Sequence, residues 1–274
     1  MGEYPSPVRT HSPEDPVEPV LVSLLRPFAP LRFLSVRSAF AGVPRPNDEP
    51  RALVAGPDPL KLLLLGTDAA TGWGVRSHAL ALPGQLAREL GAATGRGVTV
   101  DLVTRPGIRL SGLSELVAGR DLRGYDAVLV VGGLYDAALL VRERTWRLEM
   151  GDLLARLSNA TLESTPIVVT GLAPVSSLAG SPQPGQRTWD DWASRLDSVT
   201  ADLCAVSANA HHLPMAEAVG EVTELNQPDR FRSPAQYRCL ARRKARCLAE
   251  LLEPTGRRSI AGVSRGEPEA LAVP

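Results

Sequence analysis

A chain of 274 residues, 44% hydrophobic and 22% charged, can bury one α/β core with appendages, which excludes a wholly disordered chain and a repeat array. Its thirty basic and thirty acidic residues cancel, so no overall cationic field gathers phosphates, and nucleic-acid binding is not expected. Three cysteines (Cys204, Cys239, Cys247), odd in number and without a CxxC, exclude a disulfide framework and a zinc ribbon and are expected to be reduced.

Residues 1–59 are expected to form a partly disordered leader. Its first stretch is proline-rich, carries Glu3, Glu14, Asp15 and Glu18, and has no basic region leading into an apolar run. A secretory signal is therefore not expected, and the expected location is cytoplasmic. In Val20–Val43, Arg26, Arg32, Arg37, Pro27 and Pro30 interrupt the apolar residues before the roughly 20 that a bilayer span needs. Two readings remain for this amphipathic segment. The simpler is that it packs an apolar face on the parent domain; the other is peripheral contact with a membrane or a partner. Pro44–Pro59 reads as a proline-rich, mobile linker.

From Leu60 to Glu253 short apolar runs alternate with longer helical patterns, the signature of a parallel sheet covered on both faces. Strands are predicted at Lys61–Gly66, Val98–Val103, Ala127–Val131, Ile167–Thr170 and His211–Met215, and helices at Ser77–Ala93, Leu113–Ala118, Glu143–Ala160, Thr188–Ala208 and Pro234–Leu252. In the last helix Leu240, Cys247 and Leu251 fall on one side. Arg238, Arg242, Arg243, Lys244 and Arg246 read as a solvated face. Residues 254–274 lack a helical period and read as a flexible tail.

Ligands of such a sheet sit beyond the carboxyl ends of its strands. The loops there read GTDAATGWGV from Gly66, TRPGIRLSGL with Gly107, GGLYDAALL with Tyr135 and Asp136, and, before the last helix, QPDRFRSPAQYRCLA with Asp229 and Arg232. The first is neither GxGxxG nor GxxxxGK[ST], so a flavodoxin-like binder of nucleotide or flavin finds no phosphate motif and no cofactor is expected.

In their order and placement these four stretches resemble the SGNH (GDSL-type) hydrolase family, particularly its small actinobacterial members, over roughly Leu60 to Leu252. The resemblance implies a three-layer α/β/α, flavodoxin-like fold with a five-stranded parallel sheet. It aligns Gly66, Ala70, Gly72, Gly74 and Val75 with the skeleton of the family's first block, Gly107 with its oxyanion glycine, and Gly133-Leu134-Tyr135-Asp136 with its GxND block. Asp229-Arg230-Phe231-Arg232 aligns with the block that supplies the orienting aspartate and the base histidine.

The departures fall on the chemistry. Asp68 stands at the nucleophile position, with Thr67 where the family has aspartate; Tyr135 replaces the oxyanion asparagine and Arg232 the base. Ester hydrolysis of this type needs an attacking hydroxyl and a neutral imidazole to take its proton. A carboxylate has no proton to give, and a guanidinium stays charged. The resemblance sets these two positions facing each other, so Asp68 and Arg232 are predicted to pair, with Asp229 beyond the guanidinium. Thr67 is the one hydroxyl beside the nucleophile position. His78 and the His211–His212 pair read as structural, and His11 falls in the leader. Trp189 and Trp192 are expected to place one ring in the core and one at its rim, and Trp73 is the expected cleft residue.

The first functional reading is an SGNH-type protein whose catalytic positions are substituted, which binds a small acyl or glycosyl ester-type ligand or a protein partner. The alternative is an active ester hydrolase or acyltransferase in which Gly107, with the Tyr135 hydroxyl or Arg232, stabilises the oxyanion.

Overall fold

The run LKLLLLG leaves only Lys61 exposed, the pattern of a strand covered on both faces. In chain order the strands are β1 (Arg51–Val54), β2 (Leu60–Gly66), β3 (Val98–Val103), β4 (Ala127–Val131), β5 (Ile167–Thr170) and β6 (Ala210–Leu213). Across the sheet they lie β1-β3-β2-β4-β5-β6. The five from β3 to β6 run parallel, with Leu63 opposite Asp101 on one side of β2 and Val128 on the other.

The computed structural model describes residues 18–31, 33–34, 42–105, 107–178, 185–215 and 233–253, and of Asp68 and Ala69 the backbone alone. The expected tail after residue 253 and the first 17 residues lie outside them.

Six strands replace the expected five. The sixth, β1, comes from Pro44–Pro59, the stretch read as a linker, and pairs antiparallel with β3 from Arg51 opposite Asp101 to Val54 opposite Val98. Prolines flank RALV without entering it, and an edge strand needs a partner on one side only. Asp101 anchors its start by accepting from Arg51 Nε and from the Tyr125 hydroxyl at 3.0 Å. Burial pushes this carboxyl up, but those two hydrogen bonds outweigh it and hold it below the usual range.

The helices are α1 (Val20–Leu25), α2 (Leu82–Thr94), α3 (Leu110–Val117), α4 (Leu134–Ala138), α5 (Glu143–Ala160), α6 (Gln186–Ala205) and α7 (Pro234–Leu252). Alternation along the strands divides the core into two layers. Leu63, Leu65, Val128, Val130, Ile167 and Val169 face α3 to α6. Leu60, Leu62, Leu64, Leu129 and Val168 face α2 and α7. The first layer also receives Val22 and Ala29 from the N-terminal segment, so the inner face of that segment does pack on the domain.

Ser233 and Gln236 form a capping box at the start of α7, with Pro234 in the first turn, where no helical N–H is lost. Arg238 and Arg242 reach Glu89 on α2 at 3.9 and 3.5 Å. Lys244 departs from the solvated face expected for it. It is buried, and its ammonium donates to the Leu240 carbonyl at 3.2 Å, because α7 turns it towards α2 with Ala241, Ala245 and Leu248. Burial pushes the Cys204 thiol up to about 11, which makes it an inert core group. Among the described residues no helix is long and apolar enough to cross a membrane.

Candidate active site at the carboxyl edge of the sheet

Strand β2 ends where the backbones of two strands nearly touch. A Cβ on Gly66 would collide with the Val131 carbonyl and lie 2.8 Å from the Ala70 methyl, so only glycine fits. Thr67 then donates its N–H to the Val131 oxygen at 2.8 Å and accepts from Ala70 N at 2.9 Å, which starts a tight turn over Asp68–Thr71. Gly72 closes that turn at φ +75°. Asp68 thus opens the first turn beyond the central strand. The Thr67 hydroxyl lies below it, in a residue 1% exposed, 3.0 Å from where a Cβ on Gly132 would sit.

The loop after β3 carries Gly107 at φ +71°, with open space where a side chain would be. Thr104 at its start donates to the Gly66 carbonyl at 2.6 Å. Its far end is fixed by Asp136, a fully buried carboxylate that accepts from Arg109 Nε at 2.8 Å and from Leu110 N at 3.0 Å. Burial pushes the Asp136 carboxyl up, against the opposing pull of Arg109 and the Leu110 N–H. Burial also raises Glu149 on α5, with help from the nearby Asp136 charge, and its Oε2 has no hydrogen-bond partner. Asp136 is therefore a positioning group: it ties the Gly107 loop to the turn that carries Tyr135.

Tyr135 is buried at the carboxyl end of β4. Its ring meets Phe33 edge-on, with centroids 5.1 Å apart, and Trp73 at 6.2 Å. The Arg45 guanidinium lies 5.2 Å from the centre of the Trp73 ring, and the Tyr237 hydroxyl donates to the Trp73 carbonyl at 2.9 Å. Trp73, the residue expected in the cleft, is thus packed beside Tyr135 at the carboxyl edge. Trp189 and Trp192 do not divide between core and rim: both are buried, and their Nε1 atoms donate to the Ala138 and Val141 carbonyls, each at 3.0 Å.

Two imidazoles face carboxylates. His78 Nδ1 is 2.7 Å from Asp48 Oδ1, and the same carboxylate accepts from the His78 N–H at 3.0 Å, clamping the segment before β1 to the glycine turn. His212 Nε2 is 2.9 Å from Asp197, which also accepts from Leu172 N at 3.0 Å. Burial pushes Asp48 up, but its hydrogen bonds to His78 outweigh this and leave it below the usual carboxylate range.

Of the five sequence-derived site residues, the structure gathers Gly107, Tyr135 and the backbone of Asp68 at one edge of the sheet. Asp229 and Arg232, and with them the expected Asp68–Arg232 pair, lie outside the described residues. Sequence reasoning missed Phe33, Arg109 and Asp48. Each acts on a residue far along the chain, and no spacing announces such a contact.

No protein-family model matches the sequence, and no curated protein does. Solved structures do. A lipase from a goat rumen metagenome superposes with a TM-score of 0.56 at 13% identity, covering 69% of this chain and 97% of that one. A lipase/acylhydrolase from Enterococcus faecalis gives 0.55 at 17% identity, over 72% of this chain and 98% of the other. The chain shares the α/β fold of these two proteins, a mostly parallel sheet with helices on both faces. At these identities the likeness is one of fold. At the carboxyl edge of this sheet stand the Asp68 turn, the Gly107 loop and Tyr135.

Proposed function

We propose that this SGNH-type protein has lost the ester chemistry of its fold and uses the remnant cleft to bind. The observation that supports this most is the surroundings of Tyr135. Where the family motif has an asparagine to stabilise an oxyanion, a buried aromatic ring is wedged between Phe33 and Trp73. The aromatic walls and the open side of Gly107 suit a small acyl or glycosyl ester-type ligand, held by apolar contact and a backbone N–H. Asp68 and Arg232 at the nucleophile and base positions point the same way, since neither can pass a proton as serine and histidine do.

The test is incubation of the purified chain with short-chain p-nitrophenyl esters and with a serine-directed fluorophosphonate. Neither turnover nor labelling is expected. Turnover that disappears in Thr67→Ala or Asp68→Ala overturns the proposal in favour of an active hydrolase or acyltransferase with non-standard residues. The triple substitution Asp68→Ser, Tyr135→Asn and Arg232→His asks whether the scaffold still holds reactive geometry; labelling gained by that variant alone supports lost chemistry on an intact frame.

A further inference from the structure

The N-terminal arm buries one face and leaves the other bare. Val22 and Ala29 enter the core, with Leu25 and Phe33 packed beside them. Arg26 pins the arm by donating to the Leu140 carbonyl at 2.7 Å and to Glu18 at 2.8 Å, while Glu18 accepts from the N–H of Glu143 at the start of α5. A segment that served only to cover its own domain would turn polar residues outwards. Here the outward side chains are Val20, Leu21, Leu24, Phe28, Leu31 and Leu34, each more than half exposed. They are six of the eleven exposed large hydrophobic residues among those described, collected within fifteen positions. A ridge of that density is a surface that something covers.

Charge selects the occupant. From Pro19 to Asn47 the sequence has four arginines and no acidic residue, and with Arg26 neutralised by Glu18 it keeps an excess of three positive charges (Arg32, Arg37, Arg45) in a chain whose net charge is zero. A second copy docked through the same ridge would set two cationic segments against each other. An anionic lipid surface would neutralise them and take up the apolar side chains. We propose that the arm, residues 20–34, is a docking surface for anionic membranes. Pro27 and Pro30 interrupt it after a six-residue helix, so it lies in the interface without crossing. Docking sets the cleft beneath Phe33 at the lipid surface, whether or not that cleft turns over an ester.

The experiment is flotation of the full chain with vesicles of phosphatidylcholine alone and with about 30% phosphatidylglycerol added, comparing wild type with a Leu24→Glu, Phe28→Glu double variant. Both positions are exposed, and an unchanged melting curve verifies that the variant folds. The wild type is expected to float with the anionic vesicles at least about tenfold more than with the neutral ones and to detach as salt rises. The double variant is expected to stay at the bottom of the gradient. Equal flotation of the variant, equal binding to both vesicle types, or no binding to either overturns the proposal. So does a wild-type dimer that the variant converts to monomer, which assigns the ridge to a second copy.

Discussion

The carboxyl edge of the sheet, as a floor, and the arm that covers it are held by different physics. The floor, formed by the ends of β2 and β4, is locked by close backbone approach and buried hydrogen bonds: Gly66 against Val131, Thr67 N–H on the Val131 oxygen, and Asp136 on Arg109 and Leu110. The cover, the arm from Glu18 to Leu34, rests on a few apolar contacts and on one arginine. In the floor, Gly66, Gly72, Gly133 and Asp136 are residues that packing, backbone geometry or a buried hydrogen bond demands.

The largest effect is expected in the floor. Gly133 sits at φ +98°, and a Cβ there would strike the Trp146 ring, whose indole already donates to Thr200 at 3.1 Å. Gly133→Ala combines backbone strain with overpacking and is expected to cost about 2–4 kcal/mol, read as a lowered midpoint in urea with an unchanged slope. A shift below about 0.5 kcal/mol would mean that the floor yields as easily as the cover.

Next comes Asp136. Replacement by alanine leaves the Leu110 N–H without its acceptor and is expected to cost about 2–3 kcal/mol, with asparagine costing less because its oxygen can still accept. The pH dependence has a defined sign. Burial raises this carboxyl above its unfolded value of roughly 4. Its stabilising contribution is therefore complete below the unfolded value and is lost as pH rises through the raised folded value. The stability gap between wild type and Asp136→Asn should narrow over that rise; urea melts at several pH values check it, and a gap that widens contradicts the assignment.

How much of this was legible depended on the range of the interaction. The bounds of β3, β4, β5, α5 and α7 follow the sequence reading because apolar runs and local punctuation such as Ser233-Pro234 act within a few residues. β1 escaped because four residues between prolines carry almost no periodicity, and its stability comes from β3. Lys244 was misplaced because helical spacing shows which residues share a face, not where a neighbouring helix ends the face that water reaches. The Gly107 and Tyr135 positions were legible from motif order. The groups that hold them were not: Asp136 grips Arg109 across 27 residues, and Asp48 grips His78 across 30.

The smallest effect is expected in the cover, and its smallness would sharpen the contrast. Arg26→Ala removes the bonds to the Leu140 carbonyl and to Glu18, both made by a side chain about one-fifth exposed. Partial solvation screens the ion pair, so the loss should be about 1 kcal/mol or less of arm docking. Because the arm meets the core mainly through Val22, Ala29 and Phe33, that loss should appear as local opening, while the β2–β4 floor stays closed. Hydrogen exchange is then expected to quicken in residues 20–31 with no change at Leu62–Leu65. If both regions quicken together, arm and floor open as one unit and the contrast between them fails.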